Sequence, residues 1–138
     1  MVQGPSSQPI NILFVCRENA CRSQIAEAFA RVHGGGRLMF FSAGSQPRGS
    51  VDGGAQVVMQ ERGIALDAHR SKGLNNLPSL AWDVVVGMGC GDACPHVRAK
   101  QRIEWDIPDP SGAPLATYRT VRDLIEEHVK SLIKQLSA

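Results

Sequence analysis

The sequence has 138 residues, a length that predicts a single domain around one hydrophobic core. Hydrophobic residues make up 43% and charged residues 20%, and the net charge of only +2 excludes a strongly basic surface for nucleic acid or an anionic membrane. The chain has neither an apolar run long enough to span a bilayer nor the pattern of a secretory signal, so we expect no membrane partner and a cytoplasmic location.

The first half of the chain alternates strand and helix patterns. Residues 1–9 are rich in Gly, Pro, Ser and Gln and predict a flexible tail, which leaves residues 10–138 as the single domain. Residues 11–15 form a short apolar run that predicts a buried strand. Apolar residues then recur at helical spacing until the three glycines at 34–36, and residues 38–41 predict a second strand.

The second half continues this alternation. A helix is predicted over residues 52–62 and a short helix near residues 74–80. Residues 82–88 contain three consecutive valines and form the strongest strand pattern in the chain. A fourth strand is predicted over residues 102–107, before two prolines, and the apolar spacing over residues 121–136 predicts a long amphipathic C-terminal helix.

This alternation predicts an α/β fold, with a four-stranded parallel sheet and helices on both faces. In such sheets, ligands bind beyond the carboxyl ends of the strands. Four residues with useful chemistry or conformational freedom follow predicted strands: Cys16, Gly44, Cys90 and Asp109. The predicted topology therefore brings four separate segments to one edge of the sheet.

The segment from Cys16 to Ser23 lies between the first strand and the first helix. The first amides of a helix lack intrahelical acceptors, and successive loop amides can form a concave nest for an anion. Arg22 adds a planar guanidinium that can bind two oxygens of one anion. The predicted oxyanion-binding residues are Arg17, Glu18, Asn19, Ala20, Cys21, Arg22 and Ser23.

Cys16 is predicted to lie at the floor of this nest, where the positive field favours a thiolate nucleophile. We expect Ser23 to donate a hydrogen bond to that sulfur and Asn19 to brace the loop in a left-handed conformation. Two alternatives stay open here, namely buried structural cysteines beside a helix and a zinc site. The spacings of the four cysteines fit zinc poorly, so we expect no metal.

From Val15 to Ala28 the sequence resembles the low-molecular-weight tyrosine phosphatase superfamily, and more narrowly its thiol-dependent arsenate reductases. The resemblance extends over residues 10–136 and implies a low-molecular-weight phosphatase-like fold for the domain. Three further motifs carry it along the chain: Ser42-Ala43-Gly44, His69-Arg70-Ser71-Lys72 and Asp109-Pro110-Ser111-Gly112.

The resemblance implies a role for individual positions. Cys16 would be the attacking thiolate, Arg22 would bind the oxyanion and the transition state, and Asp109 would be the general acid. Cys90 and Cys94 lie in a segment that resembles the redox loop of the reductases. The implied relay passes from Cys16 to Cys90 and then to Cys94, and an external thiol reductant reduces the final disulfide.

The resemblance also implies arsenate or phosphate as the bound oxyanion, no bound cofactor, and thioredoxin as the reductant, with glutaredoxin or a small thiol as alternatives. The first rival function is a low-molecular-weight protein-tyrosine phosphatase, and the second is a non-catalytic oxyanion-binding or thiol-redox partner protein. Gln24, the second cysteine pair and the lack of an aromatic residue after Pro110 argue against the phosphatase. Weak phosphatase activity is still expected, because the nucleophile loop is shared.

Residues behind the nest are predicted to support it: Asn19, Ser23, Glu27, Ser42 and Lys72. In some reductases of this family a potassium ion lies behind the nest, and its ligands correspond to Asn19, Glu27 and Ser42. Lys72 stands where those reductases carry a carboxylate, so its ammonium is predicted to replace the cation by bonding Glu27. The alternative for Lys72 is an ordinary exposed lysine.

Overall fold

The computed structural model describes residues 8–66, 71–89 and 97–137, so most of the predicted tail lies outside the described residues. Among the described residues, no helix combines the length and the apolar character that crossing a bilayer requires. The elements in chain order are β1 (Ile10–Cys16), α1 (Arg22–His33), β2 (Leu38–Gly44), α2 (Gly53–Gln60), a 3-10 helix (Leu74–Asn76), β3 (Trp82–Gly87), β4 (Ala99–Glu104) and α3 (Leu115–Ser137).

The four strands form one parallel sheet in the order β2-β1-β3-β4, which confirms the predicted four-stranded parallel sheet. From β1 the chain moves to β2 on one side, and it later returns to β3 on the other side of β1. The direction of winding therefore reverses between β1 and β3. In α/β sheets, the crevice beyond the carboxyl ends of the strands at such a reversal is where ligands bind.

The central strand β1 is buried on both of its faces. Ile12 and Phe14 point into the main core, which contains side chains of all three α-helices. Leu13 and Val15 alternate with them and pack on the opposite face, together with Leu74 of the 3-10 helix. The three α-helices thus contribute to one core and the short 3-10 helix to the other. Each buried side chain of this size contributes roughly 1.5–3 kcal/mol to stability. The tightly packed β1 gives the loop that follows it a rigid base.

The fourth strand begins and ends three residues earlier than predicted, at Ala99–Glu104 instead of residues 102–107. Gly87 is the last residue of β3, and it pairs with the last residue of β4, so the ladder stops there. Trp105 and Ile107 leave the sheet and enter the core, where they are only 8% and 4% exposed. Their apolar character therefore reflects burial beyond the strand and not strand pairing.

The second helix is shorter than the predicted residues 52–62. Asp52 is its N-cap, and the carboxylate accepts hydrogen bonds from the backbone N–H groups of Gly54 at 2.7 Å and Ala55 at 3.4 Å. After Gln60 the chain turns, with Gly63 in a left-handed conformation at φ 73°. Such a cap places the start of α2 at a fixed position, and the backbone N–H of Asp52 also bonds the loop after β1.

Candidate active site

The carboxyl ends of the strands bring most of the predicted site together. Cys16 ends β1, and its register partner Gly44 ends β2. A cleft at this edge is lined by the nucleophile loop, residues 16–23, and by Asp109 from the segment after β4. The structure therefore joins three of the four predicted segments. The fourth contains Cys90 and Cys94, which lie outside the described residues.

The nucleophile loop is oriented by hydrogen bonds made on its outer side. The carbonyl oxygens of Arg17, Glu18 and Ala20 each accept a hydrogen bond from a segment outside the loop. Because the carbonyl and N–H groups of a peptide unit point in opposite directions, this arrangement turns loop amides towards the cleft. The donors, in the same order, are the Gln46 N–H at 2.7 Å, the Ser71 hydroxyl at 2.6 Å and the Asp52 N–H at 2.8 Å.

The first turn of α1 completes the anion-binding surface. Cys21 occupies the N-cap position, and its side chain makes no capping hydrogen bond. The first turn carries no acidic residue, so the positive end of the helix dipole is not offset there. The helix therefore offers its terminal amides and its dipole to an oxyanion in the cleft.

Gly44 allows this loop to lie against the end of β2. A Cβ built on Gly44 would lie 2.6 Å from the backbone N of Asn19 and 2.7 Å from the carbonyl oxygen of Arg17. Neither contact is compatible with a side chain, and both atoms belong to backbone that cannot move independently. The glycine that ends the second strand is therefore needed for the position of the nucleophile loop.

Cys16 is 3% exposed, and its Sγ lies 3.0 Å from the hydroxyl oxygen of Ser23. The side-chain amide of Asn19 donates to the same oxygen at 2.7 Å. Since the Ser23 oxygen already accepts that hydrogen bond, its own hydrogen is available to the sulfur. The Ser23 hydroxyl is therefore placed to donate to the Cys16 sulfur, the contact that the sequence predicted for Ser23.

Asn19 is the conformational centre of the loop. Its φ is 51°, the predicted left-handed conformation, and its side chain is fully buried. The side-chain oxygen accepts from the backbone N–H of Lys72 at 2.6 Å and from the amide of Gln24 at 2.9 Å. Gln24 donates also to the Asn19 carbonyl oxygen at 3.1 Å. In the sequence, Gln24 stood out only as a departure from the phosphatases, and its role as a brace of the loop became visible in these two hydrogen bonds.

Arg22 is held across the cleft by the segment after β4. One guanidinium nitrogen donates to the carbonyl oxygen of Ile107 at 3.0 Å, and another lies 3.7 Å from a carboxylate oxygen of Asp109. The Arg22 side chain is 9% exposed, whereas that of Asp109 is 49% exposed. The acid loop, residues 109–112, therefore places a solvent-accessible carboxyl group at the mouth of the cleft. The other carboxylate oxygen accepts from the backbone N–H of Ser111 at 3.1 Å.

The segment after β3 also reaches the site. The backbone N–H of Met88 donates to the carbonyl oxygen of Val15 at 2.8 Å, which fixes this segment beside the end of β1. Gly89 follows with φ 85°, and a Cβ built on it would lie 2.7 Å from a guanidinium nitrogen of Arg22. The left-handed conformation favours glycine here, and a side chain at this position would have to displace the Arg22 guanidinium. Cys90 is the next residue in the sequence.

The second cysteine of the loop is not a nucleophile. Cys21 is 5% exposed, and burial, reinforced by the neighbouring Asp52 carboxylate, raises the pKa of its thiol far above the ordinary value. It therefore remains a neutral thiol. The side chain of Arg17 donates to that of Gln46 at 3.1 Å, and the Glu18 carboxylate lies 3.9 Å from the Arg48 guanidinium. Arg17 and Glu18 line the cleft, while their backbone carbonyl bonds orient the loop.

Lys72 lies behind the nest, half-buried against the residues that the sequence predicted. Its ammonium nitrogen donates to the Ser42 hydroxyl at 3.3 Å and lies 3.9 Å from a Glu27 carboxylate oxygen. Burial lowers the pKa of Lys72, and the Glu27 carboxylate opposes that shift. Glu27 itself is 6% exposed and pairs also with Arg31 at 2.7 Å. The alternative of an ordinary exposed lysine is therefore wrong.

Two features of the site could not be read from the sequence. Asp52 was visible only as the start of a helix, although it contacts both the nucleophile loop and the acid loop. Gly89 was visible only as a loop glycine, although it lies against Arg22. Across residues 8–66, 71–89 and 97–137, no group of three or more His, Cys, Asp or Glu side chains is arranged to hold a metal ion.

Known proteins are similar to this chain in sequence. The model of the family described as "Low molecular weight phosphotyrosine protein phosphatase" matches residues 11–138. A "Glutaredoxin arsenate reductase" from Synechocystis sp. is 36% identical over 129 residues, covering 91% of this chain and 98% of that protein.

Solved structures agree with these sequence similarities. The structure described as "An arsenate reductase in the phosphate binding state" has a TM-score of 0.83 at 35% identity, covering 91% of this chain and 98% of that one. A thioredoxin-dependent arsenate reductase from Corynebacterium glutamicum has a TM-score of 0.76 at 28% identity, covering 96% of this chain and 65% of that one.

Proposed function

The chain belongs to the low molecular weight phosphotyrosine protein phosphatase family, and we propose that within this family it is an arsenate reductase, which converts arsenate to arsenite in arsenic detoxification. The proposal draws on the relatives named arsenate reductase, which match the chain over nearly its whole length. It draws equally on a cleft whose thiol, guanidinium and inward-facing amides suit a small tetrahedral oxyanion.

In the first step the Cys16 thiolate attacks the arsenic atom of a bound arsenate. The loop amides and Arg22 hold the arsenate oxygens and stabilise the charge that develops on them. A sulfur–arsenic bond forms, and an oxygen leaves as water after Asp109 supplies a proton. Ser23, at 3.0 Å from the Cys16 sulfur, supports the thiolate before the attack.

One observation carries the choice of reduction over hydrolysis. Gly89 lies against the Arg22 guanidinium, and Cys90 is the next residue. In the sequence, a second thiol therefore directly follows the glycine that lies against the oxyanion-binding guanidinium. Hydrolysis has no use for that thiol, whereas reduction needs it as an electron donor.

The proposed relay transfers two electrons from the cysteine thiols to arsenic. The Cys90 thiolate attacks the Cys16 sulfur, the sulfur–arsenic bond breaks, and its electron pair stays on arsenic, which leaves as arsenite. The Cys94 thiolate then attacks Cys90, which releases the Cys16 thiolate and leaves a Cys90–Cys94 disulfide. An external dithiol reduces that disulfide and supplies the two electrons that arsenic gained.

We propose thioredoxin as the external reductant, with no cofactor bound to the chain and with a cytoplasmic location, where such dithiol systems keep thiols reduced. The Corynebacterium neighbour is described as thioredoxin-dependent. Glutaredoxin is the alternative, because the Synechocystis relative is described as a glutaredoxin arsenate reductase.

Weak hydrolysis of phosphate esters is a second activity that the same site supports. The family is named for phosphatases, and another solved neighbour is an arginine phosphatase from Geobacillus stearothermophilus, at 30% identity. Cys16, Arg22 and Asp109 are the groups that ester hydrolysis needs, with water completing the reaction. Cys90 has no part in this activity, which makes it a control for the relay.

The test measures arsenate-dependent NADPH oxidation with the purified protein, coupled in parallel to thioredoxin with thioredoxin reductase and to glutaredoxin with glutathione and glutathione reductase. Cys90→Ser is expected to abolish arsenite production and to keep p-nitrophenyl phosphate hydrolysis. Cys16→Ser is expected to abolish both. Wild-type arsenite production by Cys90→Ser would refute the relay, and ester hydrolysis without arsenate reduction in the wild type would make the protein a phosphatase.

A further inference from the structure

Asp52 is a buried carboxylate for which the relay has no use. It is 7% exposed, and one of its oxygens caps α2. A helix cap needs only one side-chain oxygen. The second oxygen of Asp52 faces α3 and the acid loop, where it lies 3.4 Å from the Ser111 hydroxyl.

Tyr118 of α3 holds the Asp52 carboxylate in place beside the acid loop. Its hydroxyl lies 2.9 Å and 3.0 Å from the two oxygens of the Asp52 carboxylate, to which it donates. The backbone of Gly112, in the acid loop, lies close enough to this hydroxyl to work against the rise of the Tyr118 pKa. The hydroxyl therefore lies between the acid loop and the Asp52 carboxylate that it bonds. Ser111 and Gly112 are the last two residues of the loop that carries Asp109.

Asp52 is attached to the nucleophile loop as well. Its backbone N–H donates to the carbonyl oxygen of Ala20 at 2.8 Å. The side chain thus bonds the acid loop while the backbone bonds the nucleophile loop. One residue fixes the distance between the two loops that must cooperate in the first chemical step.

We propose that Asp52 and Tyr118 are positioning residues for the general acid: together they hold the acid loop so that Asp109 stays beside Arg22 and the bound oxyanion. The inference rests on the proposed role of Asp109 as proton donor. Asp109 itself is half exposed, and its ion pair with Arg22 is long at 3.7 Å. Such a pair contributes little by itself, so the geometry of the acid depends on how Asp52, itself held by Tyr118, bonds the end of the loop at Ser111.

The hydroxyl of Tyr118 keeps its proton throughout the working range of pH. Burial, followed by the hydrogen bond to the Asp52 carboxylate, raises the pKa of Tyr118 to about 12. The ring is 5% exposed and packs on the backbone of Gly54, where a Cβ would lie 2.4 Å from the ring. Phenylalanine keeps this packing and removes only the hydroxyl.

The test is a double-mutant cycle with Tyr118→Phe, Asp109→Asn and the double variant, measured as kcat for arsenate reduction and for p-nitrophenyl phosphate hydrolysis. Tyr118→Phe is expected to lower kcat roughly 10- to 100-fold, as expected for a misplaced catalytic group, with KM little changed. Added to Asp109→Asn, it should lower kcat by no more than about twofold, since it acts through the same carboxyl group. In wild type, kcat should fall on the alkaline side of the pH–kcat profile, and this fall should be smaller in both Tyr118→Phe and Asp109→Asn.

Glu61→Gln is the matched control, because Glu61 bonds α3 through Arg119 at 2.8 Å and Arg122 at 2.8 Å. It is expected to lower stability at the α2–α3 contact and to leave kcat unchanged. A full, multiplicative loss from Tyr118→Phe in the Asp109→Asn background, or an equal loss of kcat in Glu61→Gln, would overturn the proposal.

Failure of this proposal can be separated from failure of the proposed function. If arsenate is not reduced but the ester is hydrolysed, the reductase assignment fails and the cycle on ester hydrolysis still decides the role of Tyr118. If neither reaction occurs, Asp109 is not a proton donor and both proposals are overturned.

Discussion

The nucleophile loop and the acid loop face each other across the cleft but are built in opposite ways. In the nucleophile loop, Asn19 and Ser23 are fully buried and Cys16 is 3% exposed. Hydrogen bonds reach this loop from α1, from the segment after β2 and from the segment that contains Lys72. The acid loop, by contrast, carries a half-exposed Asp109 and is attached mainly at its end.

The contrast follows from what each loop does in the proposed reaction. Groups that stabilise developing charge act best when they are fixed before the reaction, since reorganisation during the reaction would use up part of their effect. A proton donor must recover its proton from water after each turnover, which needs solvent access. A rigid, buried oxyanion site opposite an open proton donor satisfies both needs.

The largest effect is expected where the two loops meet, at Arg22. Arg22→Lys keeps the charge but removes the planar fork, so the bond to Ile107 and the two-oxygen contact with the anion cannot both form. We expect kcat/KM for arsenate to fall about 10²- to 10³-fold, the usual result of removing a preorganised donor. Steady-state kinetics measure this, with Arg119→Lys at the surface as the control.

If Arg22→Lys retained more than a tenth of the wild-type kcat/KM, charge alone would suffice at this position. The idea of a preorganised nucleophile loop would then lose its main support. An equal loss in Arg119→Lys would point to a general effect on folding.

The two positive-φ positions, Asn19 in the nucleophile loop and Gly112 in the acid loop, give a direct test of the contrast. Asn19→Ala removes the hydrogen bonds to Ser23 and Lys72 and strains the backbone, which should lower the free energy of unfolding by about 2–4 kcal/mol. Gly112→Ala meets open space and adds only backbone strain, about 1 kcal/mol. Urea unfolding at unchanged m-value measures both.

Asn19→Gly separates the two contributions, because glycine accepts the left-handed conformation but makes no side-chain hydrogen bonds. Its stability should lie between that of Asn19→Ala and that of the wild type. Should Gly112→Ala prove as destabilising as Asn19→Ala, the acid loop would be as firmly built as the nucleophile loop and the contrast would be wrong.

The nucleophile loop could be predicted from the sequence because its signals are local. A buried strand, a short loop and a helix start lie within about twenty residues, and their chemistry follows from the amides and side chains present there. The sheet could be predicted for the same reason, since each strand has its own apolar run. The left-handed Asn19 and the Ser23 contact to Cys16 followed from residue type and spacing.

The supports of the acid loop could not be predicted because they join distant residues. Asp52 and Tyr118 are 66 positions apart, and each has an ordinary local explanation as a helix cap and as a core aromatic residue. The end of β4 was misplaced because Trp105 and Ile107 are apolar for the core, which strand patterns cannot distinguish from pairing. Cys90 and Cys94 remain predictions, since they lie outside the described residues.

The smallest expected effect concerns the support behind the nucleophile loop, where Lys72 contacts Ser42 at 3.3 Å and Glu27 at 3.9 Å. If the Lys72 ammonium takes the place of a bound cation, turnover and stability should be equal in potassium and sodium chloride. Lys72→Asp should bring potassium dependence, with stability rising by about 1 kcal/mol at potassium near five times its Kd. Lys72→Met, which supplies neither an ammonium nor a carboxylate, should show no potassium dependence. Potassium activation of the wild type, or equal behaviour of the two variants, would mean that Lys72 only fills space and that the rigidity of the nucleophile loop comes from Asn19 and Gln24 alone.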